Sequence, residues 1–255
     1  MILFGDFPNR VVMRKMRLRI SCRVVLCFLL GFHPSLGQAE QLAPSSDYST
    51  VLENKLKLFL DQHAATSSDS RLLVRLADLY LDLGDEAYSE APKRRGAYEE
   101  GARIARRAID LDESNAQAHY LYAANLGSAV QLSGVIASAL TVNELKAHVR
   151  RALELKHDYP PALHMMGMML EELPWFLGGD REGALNYLKW AVAADPGDTH
   201  ARLDLAKAYI KRRESGAARR ELTVLLQGSL PSEYSDSDRR HRDEASALLN
   251  SLGSR

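Results

Sequence analysis

Residues 199–230, THARLDLAKAYIKRRESGAARRELTVLLQGSL, decide the fold. Leu205, Ala206 and Tyr209 share one helical face, a small residue set between two bulky ones. After a polar break, Ala218, Leu222 and Leu225 mark the inner face of a second helix. The same unit recurs upstream. Small residues stand at Ala77, Ala123, Gly167 and Ala206, each preceded by Leu76, Tyr122, Met166 or Leu205 and followed three places later by Tyr80, Leu126, Leu170 or Tyr209. The second helices carry Gly101/Ala105/Ala108, Leu145/Val149/Ala152, Ala184/Leu188/Ala191 and Ala218/Leu222/Leu225. Small residues at fixed places let paired helices approach closely. No single pair can bury its apolar face alone, so stacking makes such a chain fold.

These positions resemble the tetratricopeptide (TPR) repeat. The unit 199–230 carries its signature residues, and 160–196 adds Gly167, Leu170, Ala184, Leu188, Ala191 and the closing Pro196. Glu113 and His157 stand where a closing proline is usual. The small residues lie 46, 44 and 39 apart (123−77, 167−123, 206−167), against about 34 for the repeat. The excess is read as long loops inside the pairs, around 85–97, 128–141 and 171–180. That layout, with Asn115-Ala-Gln-Ala-His119 and Leu173-Pro-Trp-Phe-Leu-Gly-Gly-Asp180, is similar to the regulator-of-microtubule-dynamics family, to related bacterial TPR proteins and to the periplasmic T-component of TRAP-type transporters. The resemblance implies a non-enzymatic helical scaffold. For the transporter branch it implies a periplasmic solute-binding protein as partner, with an apolar small ligand. It carries over no catalytic residue.

The expected fold is all-α: an antiparallel helix-pair, TPR-like solenoid of about four repeats with long intra-repeat loops and a C-terminal capping helix. The expected organisation is a signal peptide over 1–37, a linker and N-terminal helix over 38–69, repeats over 70–230 and the cap over 231–255. A first helix is read at 50–63 and a last one at 238–252, with Ala245, Leu248, Leu249 and Leu252 on one side. Gly84 and Gly127 read as terminators of first helices, and Gly228 ends the last second helix.

The leader reading rests on Arg14, Lys15, Arg17, Arg19 and Arg23 before a nine-residue apolar stretch, 24–32, and on small residues at Ser35, Gly37 and Ala39. Met13 or Met16 is a candidate start. Nine apolar residues are too few to span a bilayer. An uncleaved amphipathic tail or a mitochondrial presequence is the plainer alternative to a cleaved signal. Both cysteines, Cys22 and Cys27, lie in this segment. Neither has the small preceding residue and placement of a lipidated cysteine. The mature chain would then lack disulfides, thiol nucleophiles and cysteine metal sites.

The whole chain has 33 basic and 33 acidic side chains; residues 1–37 hold six basic and one acidic, leaving 27 against 32, a net of −5. That balance argues against nucleic acid, which demands concentrated positive charge. Lys211-Arg212-Arg213 reads as a helix end and Lys93-Arg94-Arg95 as a solvated loop.

Little converges on catalysis or metal, and no cofactor is expected. His119, His164 and His200 fall near the starts of successive first helices. They could line one groove, but that place tolerates many residue types, and no His-x3-His or His-Glu-x2-His pair occurs. Met165, Met166, Met168 and Met169 read as adaptable core filling around Gly167. Gly178-Gly179-Asp180 lacks the phosphate-loop pattern and reads as a turn capped by Asp180. Trp175 and Phe176 are either buried in their loop or part of a recognition surface. The run 126–140 has no charged residue. It is either buried in the array, or lines a ligand cavity or subunit contact.

In the TPR register the concave face is lined by Val74, Asp78, Leu81, Tyr120, Ala124, His164, Met168, Glu171, Leu203, Lys207 and Ile210. With one lysine, it lacks the chaperone-tail carboxylate clamp. A mostly apolar groove favours an amphipathic helix of a partner protein or an apolar small molecule. Self-assembly into a homo-oligomer is a further reading.

Overall fold

The computed structural model describes residues 46–228 and 236–253. The expected leader with both cysteines, most of the expected linker and most of the expected loop over 231–237 lie outside the described residues. Ten α-helices occur among those described: α1 (Ser46–Asp61), α2 (Ser70–Asp82), α3 (Ala91–Leu111), α4 (Ala116–Ser133), α5 (Val135–Leu155), α6 (Pro160–Glu172), α7 (Arg181–Ala194), α8 (Thr199–Lys211), α9 (Ser215–Gln227) and α10 (Asp236–Gly253). No strand is present among them, and no helix is long and apolar enough to cross a membrane.

The four pairs α2/α3, α4/α5, α6/α7 and α8/α9 stack in order, with α1 against α2 and α10 against α8 and α9. The repeat residues form the core. Ala77, Ala123 and Ala206 are fully buried, as are Ala105, Ala108, Val149, Ala152, Ala184, Leu188, Ala191, Ala218 and Leu222. Gly167 permits the closest approach. A Cβ there would lie 2.9 Å from Leu188 Cγ and 3.2 Å from the Leu188 backbone nitrogen. Helix starts follow local chemistry. Asp69, Asn115, Asp180 and Asp198 each accept a backbone N–H of the first turn, satisfying donors that the helix leaves unpaired. The methionines behave as gap fillers, Met166 buried and Met165, Met168 and Met169 half-buried around Gly167.

The extra length of the early repeats is mostly helix, not loop, which corrects the expectation of long intra-repeat loops. In place of a loop over 128–141, α4 and α5 meet at the single residue Gly134, whose φ of 108° suits glycine. Gly127 is therefore no terminator. It lies inside α4, with Leu145 Cδ1 at 3.6 Å and Met165 Cε at 3.8 Å from where its Cβ would be. Lys93, Arg94 and Arg95 lie in α3, not in a loop. Arg94 Nε donates to the Gly84 carbonyl at 2.9 Å and Lys93 pairs with Glu53 at 3.3 Å. Of the three expected loops, 173–180 remains largely irregular, with one 3-10 turn, Trp175–Leu177, and the first shrinks to a short break at 88–90.

Candidate functional site

The first helices α2, α4, α6 and α8 carry the concave row. Two of its expected members are core residues. Val74 is buried in the cluster that contains Leu52 and Phe59 of α1, and Leu203 in the cluster that contains Ala245 of α10. The terminal helices cover both ends of the row. Glu171 is also buried, held by Arg212 at 2.6 Å and 3.2 Å. It is a strut between α6 and α8. Leu81, Ala124, Met168 and Ile210 are half-buried apolar lining. Asp78, Tyr120, His164 and Lys207, also half-buried, meet charged neighbours from other elements. The face is thus more polar than the apolar groove expected, because the register names one side chain per turn and misses those delivered by turns and by α10.

One end is acidic. Asp78 and Asp82 lie on α2, and Asp85 and Glu86 in the π-helical turn Leu83–Ala87 that follows. Gly84 makes this turn possible, since a Cβ would fall 2.2 Å from Tyr98 Cε1. The Tyr98 ring passes against it, and its hydroxyl donates to Asp85 Oδ1 at 2.6 Å. Burial raises the Asp78 carboxyl, opposed by Lys55. Burial and then the Asp78 charge push Asp82 up to about 7. No hydrogen bond or ion pair among the described residues holds either carboxylate. Tyr120 and Tyr159 meet edge to face at 5.5 Å in the middle of the row, both hydroxyls pushed up chiefly by burial.

The other end gathers histidines. His164 Nε2 lies 3.0 Å and His200 Nε2 3.3 Å from Asp204 Oδ2. Lys207 Nζ stands 3.4 Å from Asp204 Oδ1 and 2.9 Å from Glu244 of α10. His241, also of α10, stacks on His200 at 4.7 Å, and its Nδ1 is 3.0 Å from Thr199 Oγ1. Burial opposes ionisation of Asp204, but its hydrogen bond to His164 and its electrostatic attraction to His200, His164 and Lys207 together hold it well below the usual carboxylate range. Burial, and then His200, lowers His241 to about 4. His119 is not part of this group. It is buried, with Nδ1 2.9 Å from His148 Nδ1 and Nε2 3.0 Å from the Glu113 carbonyl oxygen. Asp204, His241, Asp82 and Glu86 escaped the sequence reading. The His200-x3-Asp204 spacing, one helical turn on one face, was the signal available for the first of them.

Two further surfaces bear on binding. Trp175 and Phe176 are 85% and 64% exposed and stack edge to face on each other, so they are not buried in their loop. The charge-free run does not vanish into the core either, since Leu140 is 81% exposed. Together with α6 it walls a cleft of about 330 Å³ lined by Gly127, Val130, Val142, Leu145, Met168 and Met169 among others.

Stacked antiparallel helix pairs with small residues at the crossing points and a first-helix face left for contact define a TPR protein, a class built for protein interaction. A tetratricopeptide family model matches residues 176–234. The family model described as regulator of microtubule dynamics protein 1-3 matches residues 36–172, more than half of the chain, and the chain belongs to that family. Regulator of microtubule dynamics protein 1 of Bos taurus is 26% identical over 230 residues, covering 83% of this chain and 71% of that protein. The Mus musculus protein is 25% identical over 233 residues, covering 85% and 73%. A thermophilic TPR protein of Thermus thermophilus has the same fold, with a TM-score of 0.57 at 17% identity over 77% of this chain and 91% of its own. Of the two branches the loop layout resembled, these relatives belong to the microtubule-dynamics one.

Proposed function

We propose that this chain is a non-enzymatic scaffold whose concave face receives a cationic segment of a partner protein. The observation that carries the reading is the pair Asp78 and Asp82, partly desolvated, mutually repelling, opposed only by the Lys55 charge and held by no hydrogen bond or ion pair among the described residues. A lysine or arginine entering beside them would favour their ionised form and gain a charge-assisted contact in a low-dielectric setting. Tyr120 and Tyr159 supply amphipathic contact area next to it. The test is capture with untagged protein as bait, wild type against the Asp78→Asn/Asp82→Asn double variant. A partner retained by the wild type, released by salt and lost by the variant supports the reading; equal retention by both sinks it.

The basic and apolar pattern of 14–37 supports placement of this scaffold outside the cytoplasm after leader removal. N-terminal sequencing of the chain purified from its native envelope is the check, and an intact leader on soluble cytoplasmic protein is the contrary result. A second reading, a carrier of small apolar ligands, rests on the cleft between the charge-free run and the methionines. Native mass spectrometry of protein from cells should then reveal a bound mass that Leu145→Trp removes. Recovery of unliganded protein alone counts against it.

A further inference from the structure

The geometry points to a divalent transition-metal site, with Zn²⁺ the best fit, formed by His164, His200 and Asp204 on adjacent first helices. Two imidazoles and a carboxylate are a donor set suited to Zn²⁺, and three protein ligands leave a position open. Tetrahedral bonds of about 2.1 Å put neighbouring ligand atoms about 3.4 Å apart. The two Nε2 atoms stand 3.0 Å and 3.3 Å from Asp204 Oδ2, and all three donor atoms lie within 4.8 Å of one another. The ligands converge before any ion arrives, so little rearrangement is needed.

The surroundings favour the same conclusion. His200 and Asp204 are one turn apart on α8, and His164 comes from α6, so the site would clamp two consecutive repeats. His200 is fixed by stacking on His241, with ring planes 15° apart. Asp204 is oriented by Lys207 through its other oxygen. Such partners hold a ligand in its binding rotamer. The Lys207 charge is itself countered by Glu244, which reduces its repulsion of a cation. His200 is the most exposed of the three ligands, so the open position lies on its solvent side. This site does not depend on the cationic-segment reading, which rests on α2.

Chelator-treated, untagged full-length protein is titrated with Zn²⁺ alone by calorimetry, and with Co²⁺ while the visible absorption bands of a tetrahedral ion are followed. The expected result is one ion per chain and a rise in melting temperature with added Zn²⁺. His200→Ala, whose side chain is largely exposed and should fold normally, is expected to weaken binding by about tenfold or more and to abolish the Co²⁺ bands. His157→Ala, away from the cluster, should leave both unchanged. A wild type that takes up no stoichiometric ion overturns the proposal and leaves a hydrogen-bonded His–Asp–His cluster. So does uptake that His200→Ala and His157→Ala diminish alike, or that neither diminishes.

Discussion

Gly167 has no side chain where Leu188 needs the space, and the consequence is measurable. Gly167→Ala sets a Cβ 2.9 Å from Leu188 Cγ and 3.2 Å from its backbone nitrogen, and backbone cannot step aside. Overpacking of this kind costs about 1–3 kcal/mol, more than the ~1 kcal/mol that alanine gains over glycine in a helix. Urea unfolding should therefore show net destabilisation. Gly96→Ala, with nothing within 4 Å, should raise stability by about 0.5–1 kcal/mol. Asp82 makes the second prediction at this scale. Burial and the Asp78 charge push its folded carboxyl up to about 7, above the ordinary aspartate range, so the folded state binds the proton more tightly than the unfolded one. Its contribution is favourable below about pH 4 and is lost as pH climbs through 7. Asp82→Asn should remove this dependence. Its advantage over wild type should grow from pH 4 to 7 and level off above that at roughly 1–3 kcal/mol. Parallel unfolding curves for the two proteins across that range would contradict the assignment.

Between elements, ion pairs of similar appearance differ in worth. Arg212 at the end of α8 donates to Glu171 of α6, whose side chain is 3% exposed, and also to the Arg181 carbonyl. Arg212→Ala leaves this buried carboxylate with only Lys211, 3.9 Å away, and should cost about 3 kcal/mol. Arg151 makes a two-pronged pair with Glu113 at 3.0 Å, but Glu113 is exposed and Arg151 partly so; solvent screens the pair, and Arg151→Ala should cost far less than Arg212→Ala. Chemical denaturation of the two variants side by side decides the ranking. The helices of these pairs were legible in sequence because small and bulky residues recur with helical period. Asp180 was legible as a cap for a similar local reason. The hairpin of α4 and α5 was not. Gly127 reads as a stop on propensity alone, but Leu145 and Met165 pack over it and tertiary contact overrides a weak local preference. The turn sits at Gly134 instead, announced only by the Ser133-Gly134 dipeptide inside an otherwise small and apolar run. The candidate site divides the same way. His200 and Asp204 are readable as one turn of one helix. The approach of His164 depends on how α6 stacks on α8, and His241 arrives from a helix 37 residues beyond Asp204, which no local pattern encodes.

At the scale of the whole molecule, one contact breaks the nearest-neighbour logic of a repeat array. Solenoid units normally touch only the next unit, so curvature accumulates freely from one end to the other. Here Arg240 of α10 lies 3.6 Å from Glu86, in the turn after α2. The last helix thus meets the first repeat across the concave side. Glu86 is the more buried partner, and its Oε2 is sealed from solvent with no hydrogen bond, so the guanidinium is its main compensation. If this pair helps set the opening of the groove, reversing one charge should widen it. Glu86→Arg should increase the radius of gyration in small-angle scattering and speed hydrogen exchange in α10. The Glu86→Arg/Arg240→Glu double variant should restore both, since it re-forms the pair with opposite polarity. Arg240 is half exposed but Glu86 is largely buried, so the stability loss should exceed the ~1 kcal/mol of a surface pair, and the informative readout is shape. An unchanged radius in the single variant would mean that the α10 packing on Leu203, Leu222 and Leu225 fixes the curvature unaided.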